Sequence, residues 1–411
     1  MNVLTLSHMF PTVVHPTKGK FVLDQARSLQ KYGVNIHVIS PQPWSPSLLR
    51  SVRRVQKYSQ IPERDVVQGI ETEYVRSLQL PSLHFLACEG VAYYVQCRSV
   101  VRQLLNSLKL DLLHAHTALP DGMAAVLLGR EFNLPVVCTL HGSDISLYPR
   151  LCRSAYTATR WVLRNIDQLI AVSNDLKKQA EQMSGRRGIC VAHNGANPQA
   201  FKPMPKFDAR AELRLDAGRK LILFVGNLIA LKGVDFLLEA VAKLNRPDVS
   251  LYLIGDGPLE GALKDRAERL GIGRQCMFIG RQPHERIPVW LCAADCLVLP
   301  SLSEGFPTIV SESMVCRTVV VATDVGGTSE LITDGDTGFL VAAANSIALM
   351  SAIDRALSLN PPQCTAILNR AERLAHEMLT WDVNAQRTLD AFHQALGHGT
   401  PTSRSRLPEQ I

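Results

Sequence analysis

The chain has 411 residues, of which 46% are hydrophobic and 20% charged, and its formal net charge is +7. This composition is typical of a globular protein, and the length allows two sizeable hydrophobic cores, so we expect two domains. Because no apolar run is long enough to cross a bilayer, the sequence excludes transmembrane helices, and it carries no motif of a nucleic-acid-binding module.

The ten cysteines are scattered along the chain without a Cys-x-x-Cys pair, and most lie in apolar runs. This distribution predicts reduced core residues, and therefore the cytosol as the compartment. Cys292 and Cys296 lie one helical turn apart, as two metal ligands do. Because no second pair of ligands accompanies them, we interpret both as core residues.

The amino-terminal residues begin an α/β pattern. They lack the charged start and long apolar stretch of a signal peptide, so Val3 to Leu6 is predicted to be the first strand. A loop containing Gly19 leads to an expected helix from about Lys20 to Tyr32 and a strand from Val34 to Ile39. This is a βαβ unit, whose first loop lies at the edge where such sheets bind ligands.

A basic amphipathic segment is predicted from Ser47 to Ser59, just after Trp44. Four cations share one helical side and apolar residues occupy the intervening positions; the cations are Arg50, Arg53, Arg54 and Lys57. Such a segment can rest on an anionic membrane surface. The alternative is a solvated helix whose apolar side packs on its own domain.

Two further predicted strands end in histidines at the same sheet edge. Asp111 to His116 enters a loop after His116, and Pro135 to Leu140 runs into His141, with Asp144 three residues later. A regular strand would point His114 and His116 the same way, as two metal ligands, but no third ligand is evident. We therefore predict that both line or cap the crevice.

The tract from Val191 to Pro203 contains an Asn-Gly pair and is rich in proline, which marks a domain boundary. A second α/β pattern begins with a strand from Leu221 to Val225, followed by Asn227, Lys232 and a helix. Later strands end before Arg281 and before Pro300. The last amphipathic helix is expected from Trp381 to Leu396.

The stretch from Pro300 to Glu312 is predicted to be a strand end, a loop and a helix. Gly305 permits a tight backbone, and Pro307 suits the first helical turn because its missing amide would be unpaired there. Glu304 lies in the loop, and Glu312 lies one turn inside the helix and faces the same crevice. Glutamate oxygens accept hydrogen bonds from sugar hydroxyls, and a helix start favours anions, so this stretch predicts binding of a sugar joined to a diphosphate.

These motifs resemble those of the large family 4 of retaining glycosyltransferases that use nucleotide sugars. The resemblance rests on Glu304-Gly-Phe-Pro with Glu312 eight residues on, on Gly-Gly-x-x-Glu ending at Glu330, and on Thr-x-His-Gly-x-Asp around His141. The first loop, with Phe10-Pro and Gly19, is similar to that of bacterial exopolysaccharide and cell-wall-polymer members. The resemblance covers about residues 1 to 396.

The resemblance implies a role for each matching residue. His141, Glu304 and Lys232 are the implied catalytic residues, with His141 on the transferred sugar and Lys232 on the diphosphate. Acceptor contacts are assigned to His116 and Asp144. The implied donor-binding residues are Gly19, Asn227, Arg281, Gly305, Phe306, Pro307, Thr308, Glu312, Gly327 and Glu330. Asn227 departs from the family pattern, since the family has arginine there, and a neutral donor stabilises a phosphate less than a charged one.

The implied fold is GT-B, an α/β architecture of two Rossmann-like domains facing each other across a cleft. We expect an acceptor-binding domain over 1–195 together with the crossover helix 381–396, a nucleotide-sugar-binding domain over 196–380, and a disordered tail over 397–411. The implied reaction moves a hexose-type sugar, with retention, from a UDP or GDP sugar to a glycan or lipid-linked acceptor in bacterial surface polysaccharide synthesis. No metal and no cofactor are expected, and the implied location is cytoplasmic or peripheral on the inner face of the plasma membrane.

Two other functions fit the same residues. A nucleotide-sugar epimerase would need acid and base groups flanking the sugar and no acceptor groove. A binding module would need no chemistry at all. The intact set of Glu304, Glu312, Lys232 and His141 argues against a decayed module, and the basic segment favours a lipid-borne acceptor over an epimerase.

The basic segment generates the first prediction. Replacing Arg50, Arg53, Arg54 and Lys57 with glutamine should reduce co-sedimentation with acidic vesicles, because each basic residue near such a surface contributes about 1 kcal/mol. Wild-type binding should weaken as salt is added, and vesicles without acidic lipid serve as the control. Equal sedimentation of the two proteins on acidic vesicles would favour the solvated helix.

Overall fold

The computed structural model describes residues 1–44, 57–77 and 83–397. The chain divides into two compact α/β units: Met1–Ala192 with the residues from Asn384 onward, and His193–Val383. The predicted boundary after residue 195 and this division lie in the same segment, between the strand that ends at Val191 and the helix that begins at Lys206. The basic segment falls largely on residues 45–56, and the carboxyl-terminal tail on residues 398–411, so both predictions lie outside the described residues.

The first unit contains an eight-stranded sheet in the order β3-β4-β2-β1-β5-β6-β7-β8. All neighbours in it are parallel except β3 and β4, which are antiparallel. The strands are β1 Asn2–Leu6, β2 Asn35–Pro43, β3 Arg64–Val67, β4 Ile70–Ser77, β5 Leu112–His116, β6 Val136–Leu140, β7 Gln168–Ala171 and β8 Cys190–Val191. The helices are α1 Lys20–Lys31, α2 Leu86–Ser107, α3 Met123–Phe132, α4 Ser143–Ser146, α5 Arg153–Asn165 and α6 Asn174–Ser184.

The second unit contains a six-stranded parallel sheet in the order β11-β10-β9-β12-β13-β14. Its strands are β9 Lys220–Val225, β10 Val249–Ile254, β11 Cys276–Gly280, β12 Cys296–Leu299, β13 Val319–Thr323 and β14 Phe339–Val341. Its helices are α7 Lys206–Leu213, α8 Val234–Leu244, α9 Glu260–Arg269, α10 Ile287–Ala293, α11 Thr308–Val315, α12 Ser346–Leu357 and α13 Pro361–Met378. The last helix, α14, spans Trp381–Gly397, and its part from Asn384 onward belongs to the first unit.

Continuous apolar runs explain why the central strands of both sheets are parallel and covered on both faces. Every residue of β5, β6, β12 and β13 is buried, as expected for strands that have helices on both sides. Helix α1 is amphipathic and buries Val22, Ala26 and Leu29 at spacings of four and three residues. Large apolar side chains such as Val and Leu each contribute about 1.5–3 kcal/mol of transfer free energy when buried. The predicted first strand and first helix are thereby confirmed.

The strand order also fixes where ligands can bind. In the first unit β1 lies between β2 and β5, and in the second β9 lies between β10 and β12. At each of these points the chain changes its direction of progress across the sheet, which opens a crevice at the carboxyl ends of the strands. The loops after β1, β5, β9 and β12 therefore hold the residues best placed to contact a ligand.

The cysteines and the apolar segments add two observations. All ten cysteines are free thiols, five of them buried and four partly buried, while Cys88 is exposed. The predicted core position thus holds for half of the cysteines, and their reduced state stays a prediction. No helix within residues 1–44, 57–77 and 83–397 is both long and apolar enough to cross a membrane.

Gly326 fixes the approach of two loops in the second unit and generates a stability prediction. Its φ is +54°, and a Cβ atom there would lie 1.8 Å from the backbone oxygen of Glu304. Since an L side chain meets both a strained conformation and a backbone clash, Gly326→Ala should destabilise the unit by roughly 1–3 kcal/mol. A thermal melt should show a lower transition temperature.

Gly261 provides the matched control for this substitution. It lies in α9, and a Cβ atom there would meet no described atom within 4 Å beyond its chain neighbours and the backbone of its own helix. Gly261→Ala should therefore be neutral or stabilising by up to about 1 kcal/mol. A Gly326→Ala melt that superimposes on the wild type would show that the loop carrying Glu304 shifts freely.

Candidate active site

The carboxylate of Glu304 lies in the loop after β12 and contacts a lysine from the neighbouring loop. The ammonium Nζ of Lys232, in the loop after β9, lies 2.5 Å from Oε1 of Glu304. The hydroxyl of Ser301 donates to the same oxygen at 2.6 Å. The backbone amide of Leu302 also donates to the carbonyl of Leu231 at 2.8 Å, so the two loops are tied together. The structure thus brings together two of the predicted catalytic residues.

This ion pair remains partly open to solvent. The side chains of Lys232 and Glu304 keep 23% and 10% of their surface exposed. A pair at the rim of a crevice is stabilised by charge-assisted hydrogen bonds, and its remaining donor and acceptor positions are available to a ligand. An anionic group would contact the ammonium, and a hydroxyl group would donate to the carboxylate.

Helix α11 begins next to this pair without a side-chain cap. Pro307 is its N-cap residue, so the prediction of Pro307 in the first turn is wrong by one position, and the helix starts at Thr308. Within the described residues, no side chain caps the first amides, and the first turn contains no acidic residue. The unpaired amides and the helix dipole favour an anion at this place. Phe306, just before the cap, is 6% exposed.

Glu312 lies in the second turn of α11 and pairs with a histidine that the sequence interpretation missed. Its Oε1 is 3.2 Å from Nε2 of His284, which follows β11. The two side chains are 11% and 29% exposed. Arg281, three residues before His284, instead contacts the carboxylate of Asp256 at 2.9 Å and is exposed. A histidine shortly after a strand end was the available signal for His284.

A second missed histidine lies beside the Gly-Gly-x-x-Glu turn. Residues Gly326–Glu330 form a 3₁₀ helix, and Oε2 of Glu330 lies 2.9 Å from Nε2 of His193. The ring of His193 stacks on Phe306 with a centroid distance of 4.8 Å and an interplanar angle of 18°. His193 therefore joins the turn to the start of α11. Asn227 is exposed in the loop after β9.

In the first unit, His141 follows β6 and stacks in a row of imidazoles. Its Nε2 is 3.0 Å from Nδ1 of His116, and its ring centroid lies 4.5 Å from that of Phe21. Nδ1 of His141 is buried, and no residue in the described parts of the chain forms a hydrogen bond with it. An orphaned polar atom of this kind carries a desolvation penalty unless a ligand or water contacts it, which fits a contact to a substrate hydroxyl.

Burial keeps these imidazoles neutral. It lowers the pKa of His114 to about 3, and burial with the nearby His114 and His8 lowers the pKa of His141 to about 3. Burial, with His114 and His141 beside it, also holds the pKa of His116 well below its usual value. At neutral pH the three rings therefore act as hydrogen-bonding groups and not as cations.

The sequence interpretation of His114 and His116 as crevice-lining residues disagrees with their burial. Both are only 1% exposed, and Nε2 of His114 is paired with Oγ1 of Thr139 at 2.8 Å. His116 is therefore too buried to contact an acceptor, and its hydrogen bond with Nε2 of His141 holds that ring in place. The strand signal could not reveal this, because both faces of β5 are covered.

Asp144 is likewise buried and fully engaged with the backbone. Its carboxylate accepts from the amides of Ala118 at 3.0 Å, Gly142 at 2.8 Å and His141 at 3.1 Å, and the residue is 1% exposed. Burial raises the pKa of this carboxyl, while the amide donors oppose that rise. These contacts assign Asp144 to holding the loop that presents His141, instead of to the predicted contact with an acceptor.

Gly19 lies just before α1 and is required by a close backbone approach. Its φ is +63°, and a Cβ atom there would lie 1.7 Å from the carbonyl oxygen of Met9. The loop after β1 is thereby folded against the helix start. This conformation explains the glycine without a ligand, so the predicted donor contact of Gly19 stays a prediction.

Two family models match the chain and together cover most of it. The model described as Glycosyltransferase Family 4 matches residues 19–200. The model described as Glycosyl transferases group 1 matches residues 205–374. The two matches correspond to the two units of the structure.

Individual relatives and solved structures agree with these models. The putative teichuronic acid biosynthesis glycosyltransferase TuaC of Bacillus subtilis is 30% identical over 344 residues, which are 80% of this chain and 83% of TuaC. Sucrose-phosphate synthase from Thermosynechococcus elongatus matches with a TM-score of 0.80 at 19% identity, over 97% of this chain and all of that one. Anabaena Alr3699/HepE in complex with UDP-glucose matches with a TM-score of 0.73 at 20% identity, over 95% and 99% of the two chains. The fold of two parallel-sheet domains is thus the GT-B fold.

The paired carboxylate of Glu312 generates a binding prediction. If it accepts hydrogen bonds from ribose hydroxyls, Glu312→Ala should weaken UDP or GDP binding about tenfold to a hundredfold, because a hydrogen bond to a charged group contributes about 1.5–3 kcal/mol. Calorimetric titration of the folded variant measures this. Glu377→Ala, at an exposed position of α13, is the control and should bind as the wild type does. Unchanged nucleotide affinity in folded Glu312→Ala would remove Glu312 from the site.

Proposed function

Since the chain belongs to the family 4, group 1 glycosyltransferases, we propose that it moves a hexose-type sugar, with retention, from a UDP or GDP sugar to a glycan or lipid-linked acceptor. Glycosyl transfer is the activity of the family. The sugar, the nucleotide, the acceptor and the stereochemistry are the proposed part. The single observation that carries the proposal is the contact of Lys232 with Glu304 beside the uncapped start of α11.

The charges of Lys232 and Glu304 suit the two groups joined by the bond that breaks in a nucleotide sugar: Lys232 suits the diphosphate, and Glu304 suits the sugar. The transition state of glycosyl transfer has oxocarbenium character on the sugar and growing negative charge on the leaving diphosphate. The ammonium of Lys232 and the first amides of α11 would stabilise that growing charge. The carboxylate of Glu304, held by Lys232 and Ser301 at 2.5 and 2.6 Å, would hold the sugar hydroxyls.

Glu312 would hold the nucleoside end of the same donor. A carboxylate can accept hydrogen bonds from two ribose hydroxyls, and the contact with His284 fixes its orientation. Gly327 and Glu330 would line the donor between these ends, with Glu330 held by His193. The similar fold of Anabaena Alr3699/HepE, whose structure is a complex with UDP-glucose, supports a nucleotide-sugar donor of this kind.

His141 would contact the transferred sugar. Its unpaired, buried Nδ1 requires a polar partner, and its neutral ring can either donate to or accept from a hydroxyl, depending on the tautomer. His116 and Asp144 would then act by holding His141 and its loop. In the parts of the chain that the structure describes, no side chain is placed as a covalent nucleophile. We therefore propose attack from the leaving-group face, assisted by the departing phosphate.

The acceptor is proposed to belong to surface polysaccharide synthesis. TuaC, a relative of similar length, is named as a putative glycosyltransferase of teichuronic acid biosynthesis. A lipid-linked acceptor would place the protein at a membrane surface, and the basic segment after Trp44 would provide the contact. Trp44 itself is 60% exposed, which leaves its ring available to an interface.

Metal-independent chemistry is the remaining part of the proposal. In the described parts of the chain, no three His, Cys, Asp or Glu residues are grouped so that they could hold a metal ion. Lys232 and the start of α11 offer positive charge where a divalent cation would otherwise neutralise the diphosphate. No cofactor is required by this mechanism.

The test combines donor binding with transfer. Wild-type protein should be stabilised in a thermal shift by one class of nucleotide sugar, since a ligand that binds only the folded state raises stability by mass action. The same donor should then give nucleotide release that depends on an added acceptor and persists in excess EDTA. An epimerase would interconvert the sugar without acceptor, and a binding module would release no nucleotide. Activity lost with EDTA and restored by Mg²⁺ or Mn²⁺ would contradict the assignment of Lys232.

A further inference from the structure

A cavity in the second unit is lined by polar side chains that no part of the proposed nucleotide-sugar site uses. It lies between the end of α12, the first turns of α13 and the turn before β14, and its volume is about 400 Å³. Cavities of this size commonly hold a small organic ligand. Its polar lining residues are Arg355 and Ser358 at the end of α12 and Gln363 and Arg370 in α13. Among the described lining residues, none is acidic.

The two arginines form ion pairs with the turn before β14, and these pairs use only part of each guanidinium. Nη1 and Nη2 of Arg355 lie 3.3 and 3.4 Å from Oδ2 of Asp334. Nε of Arg370 lies 2.5 Å from Oδ1 of Asp336 and donates to the carbonyl oxygen of that residue at 3.1 Å. The side chains of Arg355 and Arg370 are 50% and 42% exposed. Within the described residues, the terminal nitrogens of Arg370 donate no hydrogen bond, so they can contact a ligand.

Two neutral side chains complete the polar part of the wall. The side-chain oxygen of Gln363 accepts from the backbone amide of Asn360 at 3.3 Å, as in a capping box. The NH₂ group of Gln363 and the hydroxyl of Ser358 form no hydrogen bond with any described residue. Because the amide oxygen of Gln363 is engaged, its NH₂ group is what it can still offer a ligand. Two cations and two neutral donors therefore surround the cavity, as an anion requires.

The floor of the cavity is apolar. It is formed by Leu359, Ala366 and Ile367, and by Phe339, whose ring centroid lies 4.6 Å from the guanidinium carbon of Arg355. This cation–π contact holds the guanidinium over the ring. Phe339 and Ile367 are only 3% and 4% exposed, so the floor offers a limited apolar area. An anion with an apolar body would cover that area, whereas inorganic phosphate would leave it in contact with water.

A cavity in the first unit has the opposite lining. Its volume is about 330 Å³, and Asp65, Glu71 and Glu73 line it together with Arg64 and His37. Because carboxylates outnumber arginines there, that cavity would repel an anion. In the second unit the arginines belong to the wall, and their carboxylate partners are not among the described lining residues. A lining rich in donors is therefore specific to the cavity of the second unit.

A structural role explains the ion pairs but not the rest of this lining. Arg355 and Arg370 tie the turn before β14 to α12 and α13, and exposed ion pairs of this kind contribute little to stability. Such a tie has no use for the terminal nitrogens of Arg370, the hydroxyl of Ser358 or the NH₂ group of Gln363. Donors that converge on one cavity without protein partners indicate a ligand.

We propose that this cavity binds a small phosphomonoester with an apolar body, whose phosphate lies between Arg355 and Arg370. Guanidinium groups bind phosphate oxygens through paired, charge-assisted hydrogen bonds. Ser358 and Gln363 donate to the remaining oxygens, and the apolar floor contacts the body of the ligand. The inference goes beyond the proposed function and does not depend on it, because the described lining contains no residue assigned to the nucleotide sugar.

Calorimetric titration of the full chain with four probes tests the ligand class. Phenyl phosphate carries an aromatic ring, hexyl phosphate an alkyl chain, glucose 6-phosphate a polar body, and inorganic phosphate no body. Phenyl or hexyl phosphate should bind about threefold to tenfold more tightly than the other two, because its body covers the apolar floor. The tighter of the two distinguishes a small aromatic metabolite from a lipid phosphate as the source. Excess UDP or GDP should displace neither, and added salt should weaken both.

Three variants and a control separate a ligand site from a structural tie. Arg370→Gln should weaken binding of phenyl phosphate about tenfold, because it removes charged donors. Ala366→Phe keeps both arginines and their ion pairs but fills the cavity, so binding should be lost. Asp336→Asn should strengthen binding about twofold to fivefold, since it removes a carboxylate that competes for Arg370. In the matched control Arg266→Gln, an α9 arginine that pairs with Glu239 at 2.6 Å and is 37% exposed is replaced, and binding should be unchanged.

Melting curves of every variant accompany the titrations. The proposal is overturned if neither phenyl nor hexyl phosphate binds the folded wild type at millimolar concentration, or if UDP or GDP displaces them. Unchanged binding in folded Ala366→Phe, or glucose 6-phosphate binding as tightly as both apolar probes, would also overturn it. If Arg370→Gln melts early, Asp336→Asn decides: stronger binding supports the site, and equal or weaker binding refutes it. Because no readout here is sugar transfer, a failure of this inference leaves the proposed function untouched.

Discussion

In each unit, one central parallel strand determines where the site lies. From this strand the chain builds the sheet first to one side and then to the other. In the first unit this strand is β1, and in the second it is β9. Because the central strands of both sheets are buried on both faces, their polar side chains can meet a ligand only at the strand ends. The loops after β1 and β9 carry His8 and Lys232, and the loops after the adjacent β5 and β12 carry Asp121 and Glu304. In each unit, a lysine or histidine in one of these loops thus contacts a carboxylate in the other loop.

The carboxylates of the second unit share a common arrangement. Glu304 contacts Lys232, Glu312 contacts His284, and Glu330 contacts His193. A partly buried carboxylate without a partner would be strongly destabilising, so each is paired before any ligand binds. The pairs also fix the carboxylate oxygens in place. A donor that replaces water around them would meet acceptors that need no reorganisation.

The first unit uses neutral imidazoles in a different way. His114, His116 and His141 form a row of neighbouring rings, of which His116 and His141 are stacked, and burial keeps all three uncharged. His114 and His116 hold the ring of His141 in place, much as the residues next to a metal-binding histidine orient its ring. Asp144 fixes the same loop through three backbone amides. The side chain of His8 is different, since it remains accessible while its carboxylate is buried.

The sequence by itself determined the α/β class, the first strand and helix, and the segment that holds Glu304 and Glu312. Strands, helices and short glycine- and proline-containing loops are formed by residues close together in the sequence, so the local sequence pattern is enough to predict them. It did not determine the partners of those glutamates or the burial of His116 and Asp144. Lys232 and Glu304 are 72 residues apart in sequence and His8 and Asp121 are 113 apart, and each pair meets only when strand order places their loops side by side. Burial likewise depends on which helices cover a strand, and that is a property of the tertiary structure.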